Sequence, residues 1–179
     1  MKRATVGSLT LVLLGLLCAV VWAFEHTSEQ VDGMKDLALL AKGFADSTLT
    51  QMNGANGQAV TAKNAAVAMR DSVPAQYQTG YWWEKGLASL SAGDGSMTAG
   101  GQDNTLGGDL YDCAALAYNY GYEYRWLPPP FDLDVAYNSY DSARESWDSA
   151  RDSFYDAYNH AANAKIAYDN ATYEFDQCY

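Results

Sequence analysis

From Leu133 onward, small and aromatic residues recur at alternating steps of three and four, and the positions between them are mostly Asp, Ser, Arg, Glu and Asn. The repeat is plain in YDSARES, WDSARDS and FYDAYNH, which begin at Tyr140, Trp147 and Phe154. The stripe comprises Ala136, Tyr140, Ala143, Trp147, Ala150, Phe154, Ala157, Ala161, Ala164, Tyr168, Ala171, Phe175 and Cys178, and no charge falls on it. A spacing that averages 3.5 residues keeps one face turned toward a partner, so residues 132–179 are predicted to form a coiled-coil-like helix. Alternating alanines and rings suit interdigitation, a bulky residue of one helix lying over a small residue of the other.

Residues 25–73 carry a second stripe in the same spacing: Val31, Met34, Ala38, Ala41, Ala45, Thr48, Met52, Ala55, Ala59, Ala62, Ala66, Met69 and Val73. It is made mostly of small residues, which leaves room for rings on a facing helix. Gly33, Gly43, Gly54 and Gly57 weaken a helix by up to about 1 kcal/mol each, so a bend is expected near residues 53–57, and Pro74 ends the element. The two segments match in length, each roughly 70 Å if helical. That match predicts an antiparallel hairpin in which residue 73 faces residue 133 and His160 lies opposite Asp46. A two-helix, alanine-rich hairpin buries little area, so self-association or pairing with protein partners is expected as well.

Residues 74–131 read differently. They hold ten of the chain's 19 Tyr and Trp residues, among them Trp82, Trp83, Tyr120, Tyr122, Tyr124 and Trp126. The pattern suggests a short helix over 75–90, a glycine-rich loop over 91–108 and a second short helix over 110–120, with Asp109 as its N-cap and Gly121 as its stop. YNYGYEYRW alternates from Tyr118 to Trp126 and could be extended instead. Pro128–Pro130 impose a stiff connection, after which Asp132 or Asp134 can cap the last helix. The expected unit is an irregular tip, closing the hairpin or presenting rings for recognition.

The first 24 residues set the compartment. After Lys2 and Arg3, residues 6–24 contain no charge and span roughly 28 Å as a helix, close to the thickness of a bilayer core. The basic pair before this segment places the N-terminus in the cytoplasm and the bulk of the chain in the periplasm or outside the cell, anchored by a single pass. A cleaved secretory signal ending at Val21-Trp22-Ala23 is the alternative. The short basic stretch ending in Gly7 before SLTLVLLGLL resembles a type IV pilin leader, although the acidic residue that family carries at its fifth mature position would fall on Val12. That resemblance covers under a fifth of the chain and implies a filament subunit. The fold expectation is therefore all-α: a transmembrane helix over 1–24, an outgoing helix over 25–73, an aromatic tip over 74–131 and a returning helix over 132–179.

Charge removes one class of partner. With 22 acidic and 11 basic residues the net charge is −11, and nucleic-acid binding, which needs cations to displace counterions from phosphates, is not expected. Candidate chemistry is sparse. Asp94, Asp103, Asp109 and Asp112 are hard oxygen ligands in the glycine-rich stretch, a weak calcium signal, and GGQDNTLGGDL faintly echoes a calcium-binding glycine–aspartate repeat. The twelfth position counted from Asp94 is Thr105, where an EF-hand needs Glu. The two histidines, His26 and His160, are expected to lie far apart, and no hydrolase, haem or phosphate-loop motif occurs. The hairpin also keeps Cys113 and Cys178 too distant to bridge, leaving Cys178 as a thiol on the seam or a link between protomers. The functional expectation is a non-enzymatic, cofactor-free accessory subunit of a membrane or envelope assembly. The alternatives are a receptor or adhesin using the tip aromatics and a pilin-like filament subunit.

Overall fold

The computed structural model describes residues 26–126 and 132–179, and every regular element among them is helical. Helix α1 runs over Ser28–Ser72, a short 3-10 turn over Ala75–Tyr77, α2 over Tyr81–Trp126 and α3 over Leu133–Asp176. Local chemistry explains each boundary. Thr27 Oγ1 accepts from the Gln30 N–H at 3.3 Å while Gln30 Oε1 accepts from the Thr27 N–H at 2.8 Å, a reciprocal cap that satisfies two otherwise orphaned donors. Pro74 follows an extended Val73 and cannot continue α1. Gly80, at φ +90°, turns the chain into α2 in a conformation that a side chain would strain. Asp132 caps α3, its carboxylate accepting from the N–H groups of Asp134 at 3.1 Å and Val135 at 3.0 Å.

The hairpin expectation is overturned. Val31 near the start of α1 packs with Leu133, Ala136 and Tyr140 near the start of α3, and Ala66 and Val73 near its end pack with Ala171 and Phe175. Helices α1 and α3 therefore run parallel, and α2 lies antiparallel to both, with Tyr124 at the starting end and Leu90 at the far one. His160 consequently does not face Asp46. Its ring lies 3.5 Å from Asp103, while Asp46 accepts from Lys42 and Tyr111. The irregular tip is likewise replaced: the glycine-rich stretch, Asp109 and Gly121 are all interior to a continuous 46-residue helix. Helix α1 is continuous through residues 53–57.

Helix α3 is the shared element. It packs closely along both other helices, whereas α1 and α2 barely touch. Its stripe from Ala136 to Phe175 is buried throughout, with Tyr140, Trp147, Tyr168, Phe154 and Phe175 among the largest buried side chains. Against α1 it meets alanines: Ala38, Ala45, Ala59 and Ala66 are all fully buried.

Against α2 it meets glycines at intervals of seven. A Cβ built on Gly86 would lie 2.6 Å from the Phe175 ring, on Gly93 2.4 Å from Tyr168, on Gly107 2.6 Å from Phe154 and on Gly121 3.1 Å from Tyr140. Ala114 continues the series in the layer of Trp147. Each ring occupies the volume that a side chain on α2 would need. The helix can spare those side chains because the ring that replaces them buries more apolar area than a methyl could.

Where α1 and α2 approach, long polar side chains bridge them. Tyr111 donates to Asp46 at 2.6 Å, Arg125 pairs with Asp32 at 3.0 Å and Lys63 pairs with Asp94 at 2.7 Å. No described helix is long and apolar enough to cross a membrane. The expected transmembrane segment, residues 6–24, lies outside the described residues.

Candidate functional site

The ladder of rings has one empty rung. Counting by sevens along α3, Tyr140, Trp147 and Phe154 are followed by Ala161, and the rings resume at Tyr168 and Phe175. The α2 position at this level is Gly100, where α3 itself closes in: a Cβ would lie 3.0 Å from the His160 Cβ, 3.3 Å from the Ala157 carbonyl oxygen and 3.9 Å from the Ala157 Cα. A cavity of about 250 Å³ opens in this layer, bounded by Met52 and Asn56 of α1, Met97, Gly100 and Asn104 of α2, and Ala157 and Ala161 of α3. Met52, Ala157 and Ala161 form a buried floor, Met97 is a half-buried wall and the two asparagines are exposed. No charged side chain lines it.

The aromatics that the sequence groups in one tip are divided between the two ends of the molecule. Trp83 and Trp126 are separated by 43 helical residues, roughly 65 Å along α2. At one end Trp83 packs on Phe175 with centroids 5.3 Å apart, and Trp82 meets Tyr173 edge-on, with Lys85 over its ring at 5.5 Å. At the other end Tyr120 donates to Tyr124 at 3.2 Å, Arg125 lies 4.4 Å over the Trp126 ring, and Tyr122 is exposed. His26, where the described chain begins, shares this second end. It stacks on Tyr137 at 3.7 Å, and its backbone N–H donates to Asp134 at 2.8 Å. A single recognition tip built from all six rings is thus not formed.

The calcium candidates are also dispersed. Asp94, Asp103, Asp109 and Asp112 are strung along α2 rather than gathered by a loop. Asp94 accepts from Tyr168 at 2.7 Å and pairs with Lys63, and that lysine holds its carboxyl below the usual range against the opposing effect of burial. Among the described residues no group of three or more His, Cys, Asp or Glu side chains is placed to hold a metal ion. Cys113 is exposed and Cys178 half-buried, and both are free thiols. Burial pushes the Cys178 thiol up.

Two features have no counterpart in the sequence reading. Glu174 is buried, accepts from Ser89 at 2.7 Å and has Lys85 at 3.7 Å, a polar clip between α2 and α3. Tyr140 Oη and Trp147 Nε1 are buried without a partner among the described residues, and burial raises the Tyr140 hydroxyl to about 12. The seven-residue glycine spacing from Gly86 to Gly121 was the available signal for the first, since it marks α2 as a helix facing α3. No known protein family, curated protein or solved structure matches the chain.

Proposed function

We propose that this chain is a non-enzymatic, membrane-anchored structural or accessory subunit of a larger membrane or envelope assembly. Residues 6–24 anchor it, and the helical rod stands on the extracytoplasmic side. One observation carries the reading: the exposed rings of Tyr120, Tyr122 and Trp126 gather at the end of the rod where His26 enters, immediately after the uncharged segment. Tyr and Trp favour the bilayer interface because an apolar ring and a polar edge can each find their medium there. Nearby on α1, Leu37, Leu40 and Phe44 are about half exposed at spacings of three and four, an apolar strip suited to a partner helix.

The mature N-terminus tests the anchor directly. Mass spectrometry of chain recovered from membranes is expected to find Met1. A terminus at Phe24 would mean secretion and one at Ser8 pilin-like processing, and either would overturn the proposal. Membrane extraction should then yield the chain with partners, whereas recovery only as a lone soluble monomer would contradict an accessory role.

A further inference from the structure

The empty rung at Ala161 is a defined volume with defined walls, and its neighbours indicate what fills it. In every other layer of the ladder the space over the α2 glycine or alanine is taken by one aromatic ring from α3. In this layer the α3 residue is Ala161 and no ring is supplied; the Ala157 backbone and the His160 Cβ lie against Gly100, and a cavity of about 250 Å³ lined also by Met52 and Met97 remains. An engineered cavity of roughly 150 Å³ in another protein is already large enough to take benzene, so this one accommodates one ring or two fused rings. We propose that the cavity lined by Met52, Met97, Gly100 and Ala161 is a binding site for a small, uncharged aromatic molecule of the size of phenol or indole.

The lining favours that class over others. Met52 and Met97 bring thioethers, which are polarizable, adapt to shape and make favourable contacts with aromatic rings. Ala157 and Ala161 give a flat apolar floor, so water held there finds few partners and is displaced at little cost. Asn56 and Asn104 stand exposed on the two sides of the opening, and their amides offer both donors and acceptors to a hydroxyl or N–H on the edge of a ring. The absence of charge in the lining disfavours ionic ligands, which would lose hydration without compensation. The His160–Asp103 pair is adjacent in sequence to Ala161 and Asn104 but is not part of the wall.

The test uses the full-length chain labelled with ¹³C at the methionine methyl groups, titrated with indole and separately with phenol. Upfield ring-current shifts are expected at Met52 and Met97, saturating with a Kd on the order of 0.1–1 mM, as befits a ligand of few atoms. Met34 and Met69, which do not line the gap, should not follow. Ala161→Phe restores the rung from within the chain and is expected to weaken binding at least tenfold while helix content is kept. If that variant does not fold, Met97→Phe, which grows into the gap from a half-buried wall, takes its place with the same expected loss. No saturable shift at Met52 and Met97, equal shifts at Met34, Met52, Met69 and Met97, or binding undiminished in a folded filled variant would each overturn the proposal.

Discussion

Helix α3 presents the same stripe to two neighbours, and they receive it differently. On the α1 side alanine meets the stripe and its methyl groups are part of the packed interior. On the α2 side glycine meets it, and the missing methyl is the space in which a ring sits. The contrast teaches that "small" covers two distinct roles. An interior alanine contributes its own contacts, whereas an interior glycine contributes only the closeness it permits. The same substitution should therefore have opposite signs on the two sides.

The largest effect is expected for Gly93→Ala. Its Cβ would lie 2.4 Å from Tyr168 Cε1, so despite the gain in helix propensity it should cost about 1–3 kcal/mol, read as a lowered midpoint in urea. In a Tyr168→Ala background the same change should turn favourable, and a double-mutant cycle measures that reversal. The mirror experiment on α1 is Ala59→Gly. It removes a fully buried methyl and adds backbone freedom, for an expected loss of about 1–2 kcal/mol. If Gly93→Ala were as mild as a surface change, the distinction between the two faces would fail.

The two tyrosines of the ladder sharpen the comparison further. Tyr168 donates to Asp94 at 2.7 Å, and Tyr168→Phe should cost about 1 kcal/mol. Tyr140 has no partner for its hydroxyl among the described residues, so Tyr140→Phe should cost nothing and could stabilise by a similar amount, in the same denaturation assay. Alkali separates them from other tyrosines. Because the folded value of Tyr140 is raised to about 12 while an unfolded tyrosine ionises near 10, its contribution to stability is complete below about pH 10 and declines as pH climbs toward 12. Tyrosinate absorbance should show this group titrating late, and Tyr140→Phe should remove that part of the alkaline loss. A modest gain is expected elsewhere on α2: a Cβ on Gly95 meets nothing within 4 Å, so Gly95→Ala should raise stability by about 0.5–1 kcal/mol in thermal unfolding.

How much of this was legible in the sequence differs from helix to helix. The α3 stripe is written in residues that pattern reading weighs, rings and alanines without charge, and its burial follows. The start and stop chemistry at Asp132 and Pro74 is equally local. Helix α2 was hidden because its inward face is glycine, which local propensity counts as a breaker while tertiary packing makes it a requirement. With that helix unread, α1 and α3 looked like the two arms of a hairpin. Once residues 81–126 span the length of the rod, an odd number of crossings makes the outer two run in the same direction. The aromatic segments were recognised, but their separation to opposite ends was a consequence of the same omission. The gap at Ala161 was invisible until the ladder around it was known.

A ladder that repeats every seven residues is nearly self-similar, so sliding α3 by one heptad along α2 would re-seat most rings on glycines. The exceptions are Ala114 beneath Trp147 and the vacancy beside Gly100. A slip takes Trp147 off Ala114 and carries Ala161 to a glycine that now holds a ring, leaving a void there, so these two irregularities act as index marks, like a missing tooth that fixes the timing of a wheel.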